Sequence, residues 1–376
     1  MKAWDKFRVP AAVPSDKFRK RAIKRQASLT KPLGALGRVE NLAVQLAALQ
    51  CTETPQARPC CISIFAGDHG VAVEDVSAYP QSVTAQMVHN VAVGGAAISV
   101  LADRLGLTLE VINLGTVGHH DSHPRIVYSP IASSTANCLK HAAMTKSELS
   151  QALEVGRKAA VRARDTGMSL FIGGELGIGN TTVASAMGSA LTGLSPTQMV
   201  GPGTGLDAEG VTAKVGVVNA ILCRHGHAID DPMELTRRLG GFEIAALVAA
   251  FISCSQFGIP ILVEGFISRV AACVAARICF GSTAWMIHSH SSAEPGHKHL
   301  LKALGAEPLF SLSLRLGEGS GAALAWPLVD LACALHNEMA TFESAGVSGS
   351  SLESTPVCLP TSIVNYFVKY GVSGLR

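Results

Sequence analysis

From residue 60 onward, short apolar runs alternate with helical stretches, and this alternation constrains the fold more than any other feature of the chain. Four of the runs have the composition of buried strands, at 61–66, 108–114, 169–172 and 259–263. Each is followed by glycine or polar loop residues, and then usually by a helical pattern. The alternation predicts a doubly wound, mostly parallel α/β sheet with helices on both faces. In such a sheet we expect the ligand site in the loops that follow the strands.

The two ends of the chain have a different, mainly helical pattern. Residues 39–50 place apolar side chains on one helical face, and residues 298–343 read mostly as helix. We expect the two ends to pack together as a small helical domain. The predicted organisation is an N-terminal helical segment at 1–58, a large α/β domain at 59–297, and a C-terminal segment at 298–376.

Composition excludes several classes of function. Hydrophobic residues make up 48% of the chain and the formal net charge is +3, so a buried core is expected and binding to nucleic acid is not. The basic run at 17–25 is interrupted by apolar residues and is typical of a solvated helix face. The uncharged stretch 244–263 contains serine, glycine and proline in its second half, which indicates a buried helix followed by a strand rather than a membrane span.

The expected location is the cytoplasm. The N-terminus carries charged residues and has no apolar core of a secretory signal. The ten cysteines are scattered and form no C-x-x-C motif, a pattern typical of reduced thiols.

Two glycine-rich stretches indicate a phosphate site. Residues 173–182 follow a predicted strand and nearly match a nucleotide-binding P-loop, but Asn180 replaces the lysine that an NTPase requires. A monophosphate needs no lysine in that loop, and glycines let backbone N–H groups close on it. Residues 201–207 form a second such loop, with Lys214 as the expected cation. A tight turn without a ligand is the alternative for both. The predicted phosphate-binding residues are Gly177, Gly179, Asn180, Thr181, Gly203, Thr204 and Lys214.

Two further stretches carry candidate chemistry. The loop with Ser77 and Tyr79, together with Gln86, offers an aromatic face and hydrogen-bonding groups that suit a flat heteroaromatic ligand, although a proline-containing surface loop is an equal alternative. Glu318 lies between two glycines at the start of an apolar helical run, where it can face a cavity or merely complement the helix dipole. The histidines at 119–123 and 288–299 lack the spacing of zinc ligands, so no metal site is predicted.

The ordered set of motifs resembles the nicotinate-nucleotide:5,6-dimethylbenzimidazole phosphoribosyltransferase family. The resemblance runs from Lys31-Pro-Leu-Gly-Ala-Leu-Gly-Arg-Val-Glu40 to Asn337-Glu-Met-Ala-Thr-Phe342. Between these ends it includes Gly94-Gly-Ala-Ala-Ile98, Gly240-Gly-Phe-Glu-Ile-Ala-Ala246 and Ser292-Ala-Glu-Pro-Gly-His297. The chain departs from the family pattern at Gly67, Asn113, Pro202 and Glu264.

The resemblance implies a reaction and a set of roles. The enzyme would move a 5-phosphoribosyl group from nicotinate mononucleotide to 5,6-dimethylbenzimidazole, releasing nicotinate and α-ribazole 5′-phosphate. Glu318 would be the general base, Glu175 would lie beside the ribose, and Ser292 would contact the nucleotide. The base pocket would comprise Ser77, Tyr79, Gln86 and Leu316.

It also implies a homodimer, in which the partner helps to close the site. The leaving group is already a cationic pyridinium, so neither a metal nor a cofactor is expected. An enzyme that uses residues 173–182 as a P-loop, a phosphoribosyltransferase for another base, and a binding protein without activity remain the alternatives.

Overall fold

A six-stranded sheet forms the centre of the computed structural model, which describes residues 4–118, 122–226 and 230–348. All neighbouring strands in it are parallel, in the order β3-β2-β1-β4-β5-β6. The strands are β1 (Cys60–Gly67), β2 (Thr108–Gly115), β3 (Ile126–Tyr128), β4 (Leu170–Leu176), β5 (Ile261–Val263) and β6 (Met286–His288). The predicted doubly wound parallel sheet is confirmed.

The sheet is buried on both faces because successive side chains of each strand enter different cores. In β1, Phe65 joins the core on one face, whereas Ile62 and Ile64 join the core on the other. This two-sided burial explains why the strand sequences are continuous apolar runs rather than alternating patterns. The prediction missed β3 and β6, which have three residues each.

Thirteen α-helices lie among the described residues, and several of them pack against strands of the large sheet. They are α1 (Asp16–Ser28), α2 (Arg38–Gln50), α3 (Ser82–Ala92), α4 (Ala97–Leu105), α5 (Lys146–Asp165), α6 (Asn180–Thr192), α7 (Pro196–Met199), α8 (Ala208–His225), α9 (Pro232–Leu239), α10 (Phe242–Phe257), α11 (Phe266–Ile278), α12 (His297–Leu304) and α13 (Ser320–Glu338). A second, two-stranded parallel sheet joins β7 (His290–Ser291) to β8 (Phe310–Ser311).

The uncharged stretch 244–263 forms most of α10 and then β5, as predicted, and the side chains of α10 are buried except near its C-terminal end. A second stretch, Ser82–Leu105, is long and apolar enough by composition to cross a membrane. The structure divides this stretch into α3 and α4, and both helices pack against strands of the large sheet.

The two ends of the described chain pack together. Arg25 in α1 donates hydrogen bonds to the carbonyl oxygens of His336 and Asn337 at the end of α13. Leu29 and Thr341 form an antiparallel bridge. These contacts agree with the expected small helical unit, whose boundaries at 58 and 297 stay a prediction. Residues 349–376 of the predicted C-terminal segment lie outside the described residues.

Candidate active site

The candidate site lies between β1 and β4, where the strand order of the sheet reverses. β1 continues to β2 on one side, while β4 leads to β5 and β6 on the other. In open parallel sheets this switch point leaves a crevice at the carboxyl ends of the strands. The loop after β4 begins at Gly177. The backbone just before α13 also approaches this edge: a Cβ on Gly174 would lie 2.6 Å from the backbone nitrogen of Gly319.

Glu318 occupies a strained loop at this edge. It adopts φ of 61° between Gly317 at 83° and Gly319 at 78°, and such left-handed conformations are uncommon for residues other than glycine. Its side chain is buried, and burial raises the pKa of its carboxyl to about 7. A carboxyl group with that pKa accepts and releases a proton readily near neutral pH, which is the property required of a general base.

Glu175 near the end of β4 faces the same loop. A Cβ on Gly317 would lie 2.7 Å from Oε1 of Glu175, and Oε2 accepts a hydrogen bond from Nδ2 of Asn180. Burial, followed by the negative charges of Glu243, Glu264 and Glu318, raises the pKa of Glu175 well above its usual range. The structure therefore brings the two predicted catalytic carboxylates together, and it adds two carboxylates that the sequence analysis did not assign.

Those two carboxylates are held in different ways. Oε1 of Glu243, at the start of α10, lies 2.9 Å from Nε2 of His69, and both side chains are fully buried. Glu264 follows β5 and accepts backbone hydrogen bonds from α13. Glu243 lies in the Gly240–Ala246 motif, but only the fold shows that this motif reaches the end of β4.

The two predicted phosphate loops meet at Lys214. Its Nζ donates a hydrogen bond of 2.7 Å to Oγ1 of Thr181, and a Cβ on Gly203 would lie 3.0 Å from the same Nζ. Burial lowers the pKa of Lys214 to about 8. Glu294 also enters this group, because its Oε1 accepts a hydrogen bond from the backbone N–H of Gly203.

Other predicted phosphate residues have additional partners. The side-chain amide of Asn180 contacts Glu175, so it lies between the phosphate loop and the carboxylates. Gly177 packs against the end of β1, since a Cβ on Gly177 would lie 2.1 Å from the carbonyl oxygen of Gly67. Gly179, with φ of 97°, precedes α6, whose N-terminal dipole favours an anion. Ser292 connects to this region through Glu294, whose N–H lies 3.3 Å from the serine hydroxyl.

The predicted base-binding loop contacts the phosphate region. Oγ of Ser77 lies 3.0 Å from Oγ1 of Thr204, and the N–H of Ala78 donates to the same oxygen at 3.1 Å. Tyr79 is 55% exposed and Leu316 is 60% exposed. Exposed side chains of this size can pack against a planar ligand, and Leu316 lies two residues before Glu318. Gln86 lies on the exposed side of α3.

The histidine-rich segment forms no metal cluster among the described residues. Nδ1 of His288, on β6, lies 2.7 Å from Nη1 of Arg269. His290, on β7, stacks on His297 with ring centroids 6.2 Å apart. His119 and His120 lie outside the described residues, so the structure does not test that part of the prediction.

The four departures from the family pattern have distinct surroundings. A Cβ on Gly67 would lie 3.2 Å from Oε2 of Glu243. Asn113 accepts a hydrogen bond from the N–H of Gly115 and thereby closes the turn that ends β2. The carbonyl oxygen of Pro202 closes a turn in the second phosphate loop. Glu264, as described above, accepts hydrogen bonds from the first turn of α13.

Comparison with known proteins gives consistent matches. A phosphoribosyltransferase family model matches residues 11–347. A nicotinate-nucleotide–dimethylbenzimidazole phosphoribosyltransferase from Xanthomonas axonopodis pv. citri is 54% identical, over 90% of this chain and 97% of the relative. The enzyme of the same name from Pseudomonas aeruginosa is 52% identical, over 88% and 94%. The crystal structure of CobT from Thermus thermophilus superposes with a TM-score of 0.85 at 41% identity, covering 89% of this chain and all of that one.

Proposed function

The chain belongs to the nicotinate-nucleotide–dimethylbenzimidazole phosphoribosyltransferase family, and we propose from that premise how its residues perform the transfer. The reaction moves the 5-phosphoribosyl group of nicotinate mononucleotide to 5,6-dimethylbenzimidazole. Its products are α-ribazole 5′-phosphate, the lower-ligand nucleotide of cobalamin, and nicotinate. The observation that carries the assignment of roles is the buried Glu318 carboxyl, whose pKa is raised to about 7 by burial, beside the two phosphate loops.

Glu318 is the general base in this proposal. One nitrogen of dimethylbenzimidazole attacks C1′ of the ribose, and the N–H proton of the ring passes to the Glu318 carboxylate. The bond between C1′ and the pyridinium nitrogen breaks, and its electron pair leaves with nicotinate as a neutral ring. Attack opposite the leaving group inverts the β linkage to α. A positioned base of this kind typically contributes about 10²–10⁴-fold to the rate.

The ends of the nucleotide are held by different parts of the site. Lys214, Thr181 and the glycine loops at 173–182 and 201–205 hold the 5′-phosphate, with the N-terminus of α6 directed towards it. Glu175 lies beside the ribose, between this phosphate subsite and Glu318. The base lies against Tyr79 and Leu316, within reach of Ser77 and Gln86.

A homodimer would complete the site. The exposed surface of α13 carries Leu324, Leu328 and Leu331, which recur at near-helical spacing and are 39–58% exposed. Val100 on the neighbouring α4 is 51% exposed. A continuous apolar surface of this kind is typical of a subunit interface. A second copy on this surface would also lie close to Leu316 and could cover the base subsite.

A cytoplasmic location is part of the proposal. All nine cysteines among the described residues are free, as expected for a reducing compartment.

The decisive experiment is incubation of the protein with nicotinate mononucleotide and a panel of bases, with products identified by mass. Dimethylbenzimidazole should give α-ribazole 5′-phosphate together with an equal amount of nicotinate. Transfer to adenine or phenols in preference to benzimidazoles would reassign the acceptor. Binding of labelled ATP without any transfer would favour the P-loop alternative instead.

A further inference from the structure

Helix α13 begins without a capping side chain of its own. Its N-cap residue is Gly319, so no side chain there can accept a hydrogen bond from the first turn. The first N–H groups of any α-helix have no partner within the helix and need one from elsewhere. Glu264, from the segment after β5, supplies it: Oε1 accepts from the N–H of Gly321 at 3.1 Å, and Oε2 accepts from the N–H of Ala322 at 2.8 Å.

The loop that these bonds restrain carries Glu318, the proposed general base. This residue lies three positions before Gly321 and has a left-handed backbone conformation, with φ of 61°. A residue with a side chain persists in that conformation only when its surroundings fix the backbone. Two contacts do so here: β4 packs against the loop at Gly174, and Glu264 holds the first turn of α13.

Glu264 is itself rigidly held. Only 2% of its surface is exposed, and its carbonyl oxygen accepts a hydrogen bond of 2.8 Å from Nη2 of Arg269. Nη1 of the same arginine lies 2.7 Å from Nδ1 of His288 on β6. Glu264 therefore links α13 to the end of β5 through its own backbone and to β6 through Arg269. Each of its two oxygens accepts one backbone N–H of α13, so the position of the carboxylate is fixed relative to the first turn of that helix.

We propose that Glu264 is a positioning residue for the transfer reaction, which caps α13 from another element and thereby fixes the carboxylate of Glu318. The proposal rests on the proposed function of Glu318 as the base. A displacement of about 1 Å at a reacting group can lower a rate about 10²-fold. Loss of the cap should therefore lower turnover while leaving the substrate subsites in place.

Two variants test this step in the full-length protein. Glu264→Gln keeps the shape of the side chain and one acceptor oxygen, and should lower kcat about tenfold. Glu264→Ala removes both acceptors and should lower kcat about 10²-fold. The KM values for both substrates should change less than about threefold in each variant. Leu149→Ala is the matched control, because Leu149 is fully buried in α5 and belongs to the core on the opposite face of the sheet from α13. It should lower the melting temperature without lowering kcat.

A double variant separates positioning from an independent effect. If Glu264 acts through Glu318, adding Glu264→Ala to Glu318→Gln should cause little further loss of kcat. Multiplied losses, a kcat of Glu264→Ala within threefold of wild type, or a parallel rise in KM would each overturn the proposal. Failure of the proposed function is distinguishable, because Glu318→Gln alone would then retain turnover.

Discussion

Replacing Glu318 by glutamine should reduce activity and increase stability at the same time. Glutamine retains the shape of the side chain but cannot accept the benzimidazole proton. Turnover should fall by about 10²-fold or more, in line with the usual contribution of a general base. In the wild type, kcat should rise as the pH increases through about 7, because burial raises the pKa of Glu318 to that value and only the ionised form is a base. The variant should show a smaller rise, because burial also raises the pKa of Glu264 to about 7 and only that ionisation then remains in this pH range.

The gain in stability follows from the same raised pKa. The folded protein holds Glu318 with a pKa of about 7, whereas the usual value is 4.5, so folding disfavours the ionised carboxylate. The penalty is absent below pH 4.5, grows between pH 4.5 and 7, and is then constant. At 1.36 kcal/mol per pKa unit it reaches roughly 3 kcal/mol. Glu318→Gln removes the penalty, so it should raise the free energy of unfolding by up to that amount at pH 8 and hardly at all at pH 4.5.

Both effects can be measured on one preparation. Steady-state assays across the pH range give kcat, and urea unfolding at pH 5 and pH 8 gives the difference in stability between variant and wild type. Turnover of the variant within tenfold of wild type would refute the assignment of the base. A stability difference that does not change with pH would show that Glu318 is not the buried acid whose ionisation costs this energy.

The remaining predictions concern other parts of the site and the fold. Lys214→Ala should weaken nicotinate mononucleotide binding about 10- to 100-fold by calorimetry and leave base binding unaltered. The affinity of the wild type for nicotinate mononucleotide should fall as the pH rises through about 8, because burial lowers the pKa of Lys214 to that value. Prolonged EDTA treatment should leave the rate of transfer unchanged, because the leaving pyridinium already carries the positive charge that a metal ion would otherwise supply. A rate that is lost with EDTA and restored by one divalent ion would contradict this prediction. Glu175→Gln should lower kcat less than about tenfold and Glu175→Ala about 10²-fold, because the raised pKa of Glu175 favours a neutral hydrogen-bond donor that glutamine reproduces. Gly156→Ala should destabilise the protein by at least about 2 kcal/mol in urea unfolding, because a Cβ there would lie 1.9 Å from the carbonyl oxygen of Ala246. Gly216 lies in an open part of α8, so Gly216→Ala should instead stabilise the protein by about 0.5–1 kcal/mol.

Sequence patterns predicted the features that depend on neighbouring residues. The central strands β1, β2, β4 and β5 were recognisable because each is a buried apolar run followed by a turn. The capping role of Glu264 was not, because its partners in α13 are almost 60 residues away. The pairing of His69 with Glu243 was missed for the same reason. Contacts of this kind depend on which strands become neighbours in the sheet, and a single sequence carries no local signal of that order.

The glycines of the 173–182 stretch show how one pattern can serve two purposes. The sequence favoured a phosphate cradle, but a Cβ on Gly173 would lie 2.7 Å from Leu247, and one on Gly174 would lie 2.6 Å from the backbone of Gly319. These two positions provide space for a helix on one face of β4 and for the Glu318 loop on the other, whereas Gly179 precedes the helix N-terminus that favours an anion.

Close packing of the loop also explains the electrostatics of the site. Because Gly317 has no side chain, Glu175 can approach the backbone next to Glu318. Burial and the neighbouring carboxylates then raise the pKa of Glu175, while burial alone raises that of Glu318 to about 7. Two acids placed together in this way differ in their affinity for a proton. In the proposed mechanism the acid that releases its proton near neutral pH is the general base, and the acid that keeps its proton donates a hydrogen bond to the ribose. The glycines that bring the two carboxylates together therefore contribute to the division of roles between them.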